Sequence, residues 1–330
     1  MAGFSEESLI GRLKNRHSVE DPNLILGIGD DAAVVKTSGL ELLSTDLLVE
    51  GVHFDLSYAA PFQVGQKAAA VNLSDIAAMG GDPLYLLTSL AIPPEKAERF
   101  WQPFYQGLRH LAGKYDVTLI GGDISHSPGP IFINVTVVGQ ADSFISRRGA
   151  SPGDLIRVSG NLGEAAAGLA LLQAGRGSQK KWKALINKQL MPIPRLEAGK
   201  ILAGQGLASA MMDLSDGLGS DLPRLTTNYG LGARIYRDRL PLSDCLIRAA
   251  ASLNKSPYDL ALCGGEDYEL LWTAPPTASP EIERLITPEP AVIGEITSDK
   301  RLILVDGQGN NSPLPAGFDH FLSQGVQVGH

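Results

Sequence analysis

Segments of strand-like and helix-like period alternate along almost the whole chain, and this alternation restricts the fold more than any other feature. Residues 24–26 and 33–35 read as short strands about a glycine-rich turn, and 40–48 as a longer strand behind a hairpin turn at Thr37-Ser38-Gly39. Residues 62–79 switch to helix formers, with Ala68, Ala69, Ala70, Ala77 and Ala78, and stop at Gly80-Gly81. A strand follows over 84–92. Pro93-Pro94 then opens an amphipathic helix over 95–114 carrying Phe100, Phe104, Leu108 and Leu111 at helical spacing. Strands are expected again over 117–120 and 131–138. Turn formers gather from Arg147 to Asp154, which sets the expected boundary between a domain of residues 1–149 and one of 150–330. Beyond it come a strand over 155–158, helices over 164–173 and 181–190, a strand over 210–214, a helix over 218–226 and a strand over 233–236. The expected class is α/β (α+β layered), in two domains.

The chain has 330 residues, 44% of them hydrophobic, enough to fill two cores. Its formal net charge is -8, with 36 acidic against 28 basic residues and no basic stripe, which argues against nucleic acid as a partner. The most apolar run, 131–138, is broken by Asn134 and Thr136 and is too short to span a bilayer, so no membrane is expected. The two cysteines, Cys245 and Cys263, form neither a CxxC pair nor zinc-ligand spacing. With no secretory leader pattern, the expected location is the cytoplasm.

The placement of the aspartates carries the chemistry. Gly29-Asp30-Asp31, Ser44-Thr45-Asp46, Gly121-Gly122-Asp123 and Asp213-Leu214-Ser215-Asp216-Gly217 all sit in strands or at their expected ends. In open α/β sheets such ends share a ligand crevice. Asn72 and Asp75, three residues apart on the expected helix, share one face. A single Gly-Asp or Asp-Gly pair is more often only a turn. Several carboxylates gathered without Lys or Arg would repel by about 4 kcal/mol per pair at ~4 Å and an effective dielectric of 20. Divalent cations would remove that cost, and all-oxygen ligands select Mg²⁺, Mn²⁺ or Ca²⁺ over zinc. Gly121 and Gly122 would let backbone N–H groups approach an anion, and Arg147 or Arg148 would grip phosphate oxygens.

Other nucleotide motifs are absent: there is no G-x-x-x-x-G-K-[ST], no H-R-D and no D-F-G. Gly27-Ile28-Gly29-Asp30-Asp31-Ala32 imitates a dinucleotide fingerprint, but a Thr-Ser-Gly turn follows where a helix would be needed. Of six histidines only His53 lies near the early acidic motifs, and Trp101, Trp182 and Trp272 sit in core-like contexts.

Thr45-Asp46-Leu47-Leu48-Val49-Glu50-Gly51-Val52-His53-Phe54 closely resembles a segment of thiamine-monophosphate kinases. Gly29-Asp30-Asp31-Ala32-Ala33, Asn72-Leu73-Ser74-Asp75-Ile76-Ala77-Ala78-Met79-Gly80, Gly121-Gly122-Asp123, Asp213-Leu214-Ser215-Asp216-Gly217-Leu218, Gly264-Gly265-Glu266-Asp267-Tyr268-Glu269-Leu270 and Gly317-Phe318-Asp319-His320-Phe321 resemble that family in the same order. The resemblance implies the two-domain fold of the aminoimidazole ribonucleotide synthetase (PurM-like) superfamily, with N-terminal strands pairing across a homodimer. It implies ATP-dependent phosphorylation of thiamine monophosphate to thiamine diphosphate, with several Mg²⁺ ions. Asp30, Ser44, Thr45, Asp46, Asp75, Asp123, Asp213 and Asp216 would be the metal ligands. Tyr105, Gly122, Asp123, Arg147 and Ser215 would contact ATP, and His53, Glu266 and Phe318 the thiamine moiety. One departure is Ile124, where the family usually carries Thr. No general base or covalent nucleophile is expected, because a phosphate monoester with a second pKa of about 6 is already ionised at neutral pH. The competing readings are another ATP-dependent enzyme of the superfamily and a non-catalytic nucleotide- or cation-binding protein.

Overall fold

The computed structural model describes residues 23–26, 34–36 and 39–317. Two compact units emerge: one runs to Ile76 and takes in Gly81–Asp142, and the other holds Ala77–Gly80 and the described chain from Ser143 onward. The chain from Ser143 to Gly149 belongs to the second unit because it runs beside residues 209–211: Met211 N–H donates to Ser146 O at 3.0 Å.

Strands β1 (Leu24–Leu26) and β2 (Val34–Val35) pair with each other as a two-stranded sheet. The strand after Gly39 pairs elsewhere, and Thr37 and Ser38 of the expected hairpin turn lie outside the described residues. In the first unit β3 (Leu40–Val49), β4 (Asp82–Ile92), β5 (Thr118–His126) and β6 (Phe132–Ala141) form a sheet in the order β3-β6-β4-β5. The β4–β5 pair is parallel, so its connection must be a crossover, supplied by helix α2 (Pro94–Ala112). Helix α1 (Pro61–Met79) starts with proline at its first position and the Gln63 side chain on Ala60 N–H, and stops at Gly80 with φ +78°. Its centre, Ala68 to Ala70, is fully buried.

Strand β5 runs through Gly121-Gly122-Asp123 instead of ending there. Glycine at 122 answers a close strand approach rather than a turn: a Cβ there would lie 1.9 Å from Thr88 O on β4. Ile124 falls in a buried cross-strand row, Leu48–Ile133–Leu90–Ile124, so the departure from threonine is a matter of core packing.

In the second unit seven strands make one mixed sheet. These are β7 (Leu155–Val158), β8 (Ala210–Asp213), β9 (Gly232–Tyr236), β10 (Leu270–Ala274), β11 (Ala291–Thr297), β12 (Leu302–Val305) and β13 (Asn311–Pro313), in the order β13-β12-β9-β11-β7-β10-β8. Only β9–β12 is parallel among these pairs. Helices α3 (Glu164–Gln173), α4 (Lys183–Leu190), α5 (Leu196–Gly204), α6 (Leu218–Leu225), α7 (Asp244–Ser252), α8 (Pro257–Cys263) and α9 (Ser279–Leu285) complete the unit. Helix α6 shows why it forms: Leu218, Leu222 and Leu225 recur at helical spacing and bury against Ile156, Met212, Ile235 and Leu271. The sequence reading had no element at α5, whose pattern Gly199 interrupts. Among the described residues no helix is long and apolar enough to cross a membrane.

Helices α1 and α2 meet at two glycines. A Cβ on Gly65 would lie 1.9 Å from Phe104 O, and one on Gly107 1.8 Å from Phe62 O. Gly107→Ala is therefore expected to lower stability by about 1–3 kcal/mol through overpacking. A urea midpoint unchanged from the parent would contradict this crossing.

Candidate active site

Strand β3 alternates strictly. Leu42, Ser44, Asp46 and Leu48 share one face, and Leu43, Thr45 and Leu47 the other. The first face is covered by α1: a Cβ on Gly81 would touch both Leu42 and Ile76, and Ser44 Oγ donates to the Asp75 carboxylate. Ser44, Asp46 and Asp75 are thus brought to one side of the sheet. Asn72, one turn before Asp75, is fully buried; its Nδ2 donates to Ala68 O at 3.0 Å, and its Oδ1 has no protein partner. Thr45 is separated from this group. Its hydroxyl lies on the opposite face, 3.1 Å from both Val135 O and Thr136 Oγ1, with Asn134 Nδ2 donating to it at 3.0 Å.

Gly122 lies in register with Asp46 across the sheet, through Val135 and Thr88. Three strand spacings separate them, about 14 Å. Asp123 follows as an exposed residue. Tyr105, expected at the nucleotide, is buried beneath that row, its hydroxyl 3.0 Å from Thr88 Oγ1. Burial pushes its pKa up to about 12, with the Asp123 charge adding to the rise. His53 sits in the turn after β3, its Nδ1 accepting Val49 N–H at 3.0 Å, so the neutral ring carries its proton on Nε2. Buried Lys67 of α1 fixes the same turn by donating to His53 O at 2.9 Å.

In the second unit the predicted residues gather at the C-terminal end of β8. Asp213 is buried at the end of this edge strand, and Ser215 and Asp216 follow in the loop. Glu266 N–H donates to Ser215 O at 2.7 Å and Tyr268 N–H to Leu214 O at 2.9 Å, which locks the Gly264–Glu269 segment onto this loop. Glu266 and Tyr268 take left-handed backbone angles, φ 68° and 49°, to make that contact. Exposed Arg147 lies in the loop that Met211 N–H holds through Ser146 O. Asp216 pairs with Arg224 Nη2 at 2.6 Å, and Arg224 Nη1 also meets buried Asp221 at 2.8 Å. Burial pushes the Asp221 pKa up to about 7, with Asp216 and Asp213 adding to the rise against Arg224. The described chain closes at Gly317, where a Cβ would lie 2.7 Å from Asp216 O. Asp30 and Phe318 lie outside the described residues.

Among the described residues no three His, Cys, Asp or Glu side chains are placed so that together they could hold a metal ion. Ser44 holds Asp75 and Arg224 holds Asp216. The predicted donors are nonetheless all oxygen, which suits a hard divalent cation. Sequence reasoning missed Lys67, Gln189, Asp221, Arg224, Asp267 and Glu269 as parts of this framework. Arg224 was accessible as the i+3 partner of Asp221, whereas the Gln189–Glu266 bond spans 77 residues and leaves no local signal.

The chain has the two-domain fold of AIR synthase related proteins. The N-terminal domain of that family matches residues 29–141, and its C-terminal domain 151–307. Thiamine-monophosphate kinase of Buchnera aphidicola subsp. Schizaphis graminum (strain Sg) is 37% identical over 329 residues, covering 97% of this chain and 99% of that protein. The crystal structure of thiamine-monophosphate kinase from Stenotrophomonas maltophilia K279a superposes with a TM-score of 0.81 at 33% identity, over 94% of this chain and 98% of that one. AaThiL complexed with AMPPCP and TMP superposes with a TM-score of 0.78 at 36% identity, over 97% and 100%. The chain belongs to the thiamine-monophosphate kinase family, a family of kinases.

Asp267 offers a pH test of the loop lock. Its wholly buried carboxylate accepts Gly163 N–H at 2.5 Å and Ala165 N–H at 3.0 Å, at the start of α3. Burial pushes its pKa from 3.8 up to about 7, although Lys188 and both N–H donors pull downward. A raised folded pKa means that the native state keeps a proton the unfolded chain has lost. The stability this contributes is full below the unfolded pKa and vanishes as pH rises through about 7. Wild type should therefore lose stability relative to Asp267→Asn between these values, by at most about 1.4 kcal/mol per pH unit. Parallel stability curves for the two proteins across that window would contradict the assignment.

Proposed function

We propose that the chain transfers the γ-phosphoryl group of ATP to thiamine monophosphate, giving ADP and thiamine diphosphate by direct in-line attack. The observation that carries this reading is the backbone lock between Ser215 and Glu266. It joins a candidate nucleotide-and-metal loop to a candidate substrate carboxylate in one place. An acceptor phosphate oxygen forms the new bond to the γ-phosphorus as the bond to the β–γ bridging oxygen breaks. That acceptor is already ionised near neutral pH, so no side chain must remove a proton.

Within this reading, Asp30, Ser44, Thr45, Asp46, Asp75, Asp123, Asp213 and Asp216 hold Mg²⁺, Thr45 through its backbone oxygen since its hydroxyl is turned away. When bound, Mg²⁺ would supply charge neutralisation between ATP and the acceptor's phosphate. Gly122, Asp123, Arg147 and Ser215 serve ATP, with Tyr105 supporting that edge through Thr88. His53 presents Nε2–H to the acceptor, and Glu266 with Phe318 meets its thiamine moiety. Two free cysteines fit a reducing cytoplasm.

The other face of the first sheet supports the reading of a homodimer. Leu43 is 69% exposed, Leu47 52% and Phe132 37%, an apolar surface on paired strands that a second copy would cover. Leu43→Asp is expected to convert a dimer to monomer in light scattering, and a monomeric parent would sink this part of the reading.

The activity itself is tested by ADP release dependent on both thiamine monophosphate and Mg²⁺. Release without the acceptor would favour another enzyme of the superfamily, and none at all a binding protein. Asp46→Asn, nearly isosteric, should cut turnover by on the order of 10²-fold or more with little change in melting temperature. Unchanged turnover would remove Asp46 from the site.

A further inference from the structure

Glu266 is fixed through its backbone by Ser215, yet recognition of a substrate depends on where its carboxylate points. The structure assigns that task to Gln189: we propose that it is a positioning residue for Glu266 and so sets affinity for the acceptor's organic moiety. The inference rests on the assignment of Glu266 made above.

Gln189 Nε2 donates to Glu266 Oε2. A carboxylate only accepts, so the amide must present its NH₂ group, and that choice fixes the direction of Oε1. Gln189 is 3% exposed, and its Oε1 is buried with no protein partner. A buried acceptor left unpaired is costly, and an amide placed only to satisfy the core would have both ends bonded. The geometry satisfies the end that meets Glu266 and leaves the other unpaired.

The helix that carries Gln189 is held at the position this bond requires. The preceding residue, Lys188, pairs with fully buried Glu269, which also accepts Ser159 Oγ at 2.5 Å and Arg195 Nε at 2.6 Å. Two consecutive α4 residues therefore hold two acids of the same loop, Glu266 and Glu269. On the side facing α3, a Cβ on Gly168 would lie 2.2 Å from Leu185 O and 3.1 Å from Gln189 Cβ. The bare glycine lets α4 come close enough for the amide to reach. Meanwhile Asp267, between the two acids, caps α3. The loop is thus tied to both helices.

The test is a double-mutant cycle with Gln189→Met, which keeps length and helix propensity, and Glu266→Gln. KM for thiamine monophosphate, KM for ATP, kcat and melting temperature are read for the parent and all three variants. Gln189→Met should raise KM for thiamine monophosphate about tenfold and leave KM for ATP and the melting temperature in place. In the Glu266→Gln background it should add nothing. A fall in melting temperature with KM unmoved means a structural role and overturns the inference, as do effects that add in the double variant. If Glu266→Gln raises KM but Gln189→Met does not, only this inference fails; if neither moves KM, the Glu266 assignment fails and takes it along. Should the methionine variant not fold, Gln189→Leu also removes the amide donor and brings no new charge. It must then raise the same KM, and an unchanged value overturns the inference.

Discussion

A pleated strand sends successive side chains to opposite faces, and β3 uses that constraint in the reverse of the usual sense. Its covered face carries Ser44 and Asp46 between two leucines, while its open face carries Leu43 and Leu47. A strand selected for core packing alone would place the leucines inward and the polar residues outward. Here the covered face keeps a polar notch beside Asp75, and the open face keeps apolar surface. The two features are coupled, since a one-residue slip would exchange them. Ten consecutive pairs between β3 and β6 make that slip expensive.

The second unit solves a different problem, how to hold a loop rich in carboxylates without losing its shape. It does so with backbone rather than side-chain bonds between the two loop segments. Ser215 and Leu214 give their carbonyls to Glu266 and Tyr268, so the loop position does not depend on the charge state of Asp213 or Asp216. Side chains without a direct role anchor the periphery. Asp267 closes the start of α3, and Glu269 takes Lys188 and Arg195. Breaking a buried pair of that kind leaves a charge stranded, which is why such anchors fix geometry more firmly than surface pairs.

Elements with strong period were legible in the sequence. Helix α1 was marked by its alanines and Gly80, α2 by its two prolines and aromatic face, and α6 by its leucines. The misses have physical causes. Gly121-Gly122-Asp123 reads as a turn because glycine and aspartate favour turns, but at 122 glycine is required by the closeness of Thr88 O, a tertiary fact. Helix α5 was lost because its interior glycine breaks the helical signal. The candidate residues were visible as motifs, yet their partners were not. Lys67 under His53, Gln189 on Glu266 and Tyr105 beneath Thr88 are contacts across sequence that no local pattern encodes. Thr45 illustrates the converse: adjacency to Ser44 and Asp46 in sequence placed its hydroxyl on the opposite face.

Arg224 shows how a site of this kind can give up an internal ion pair at small cost. Its guanidinium is shared between Asp216, whose side chain is 21% exposed, and Asp221, which is 0% exposed. The partly solvated pair with Asp216 is worth at most about 1 kcal/mol, since water competes for both groups. The buried carboxylate of Asp221 also accepts Asp216 N–H at 3.0 Å, so it keeps the loop in place whatever the Asp216 side chain does. If Asp216 turns to a ligand, Arg224 still has Asp221, and no charge is left alone in the interior. The second aspartate therefore leaves Arg224 a partner that does not depend on the first. That is a reason for a buried carboxylate to persist where burial alone disfavours its charge.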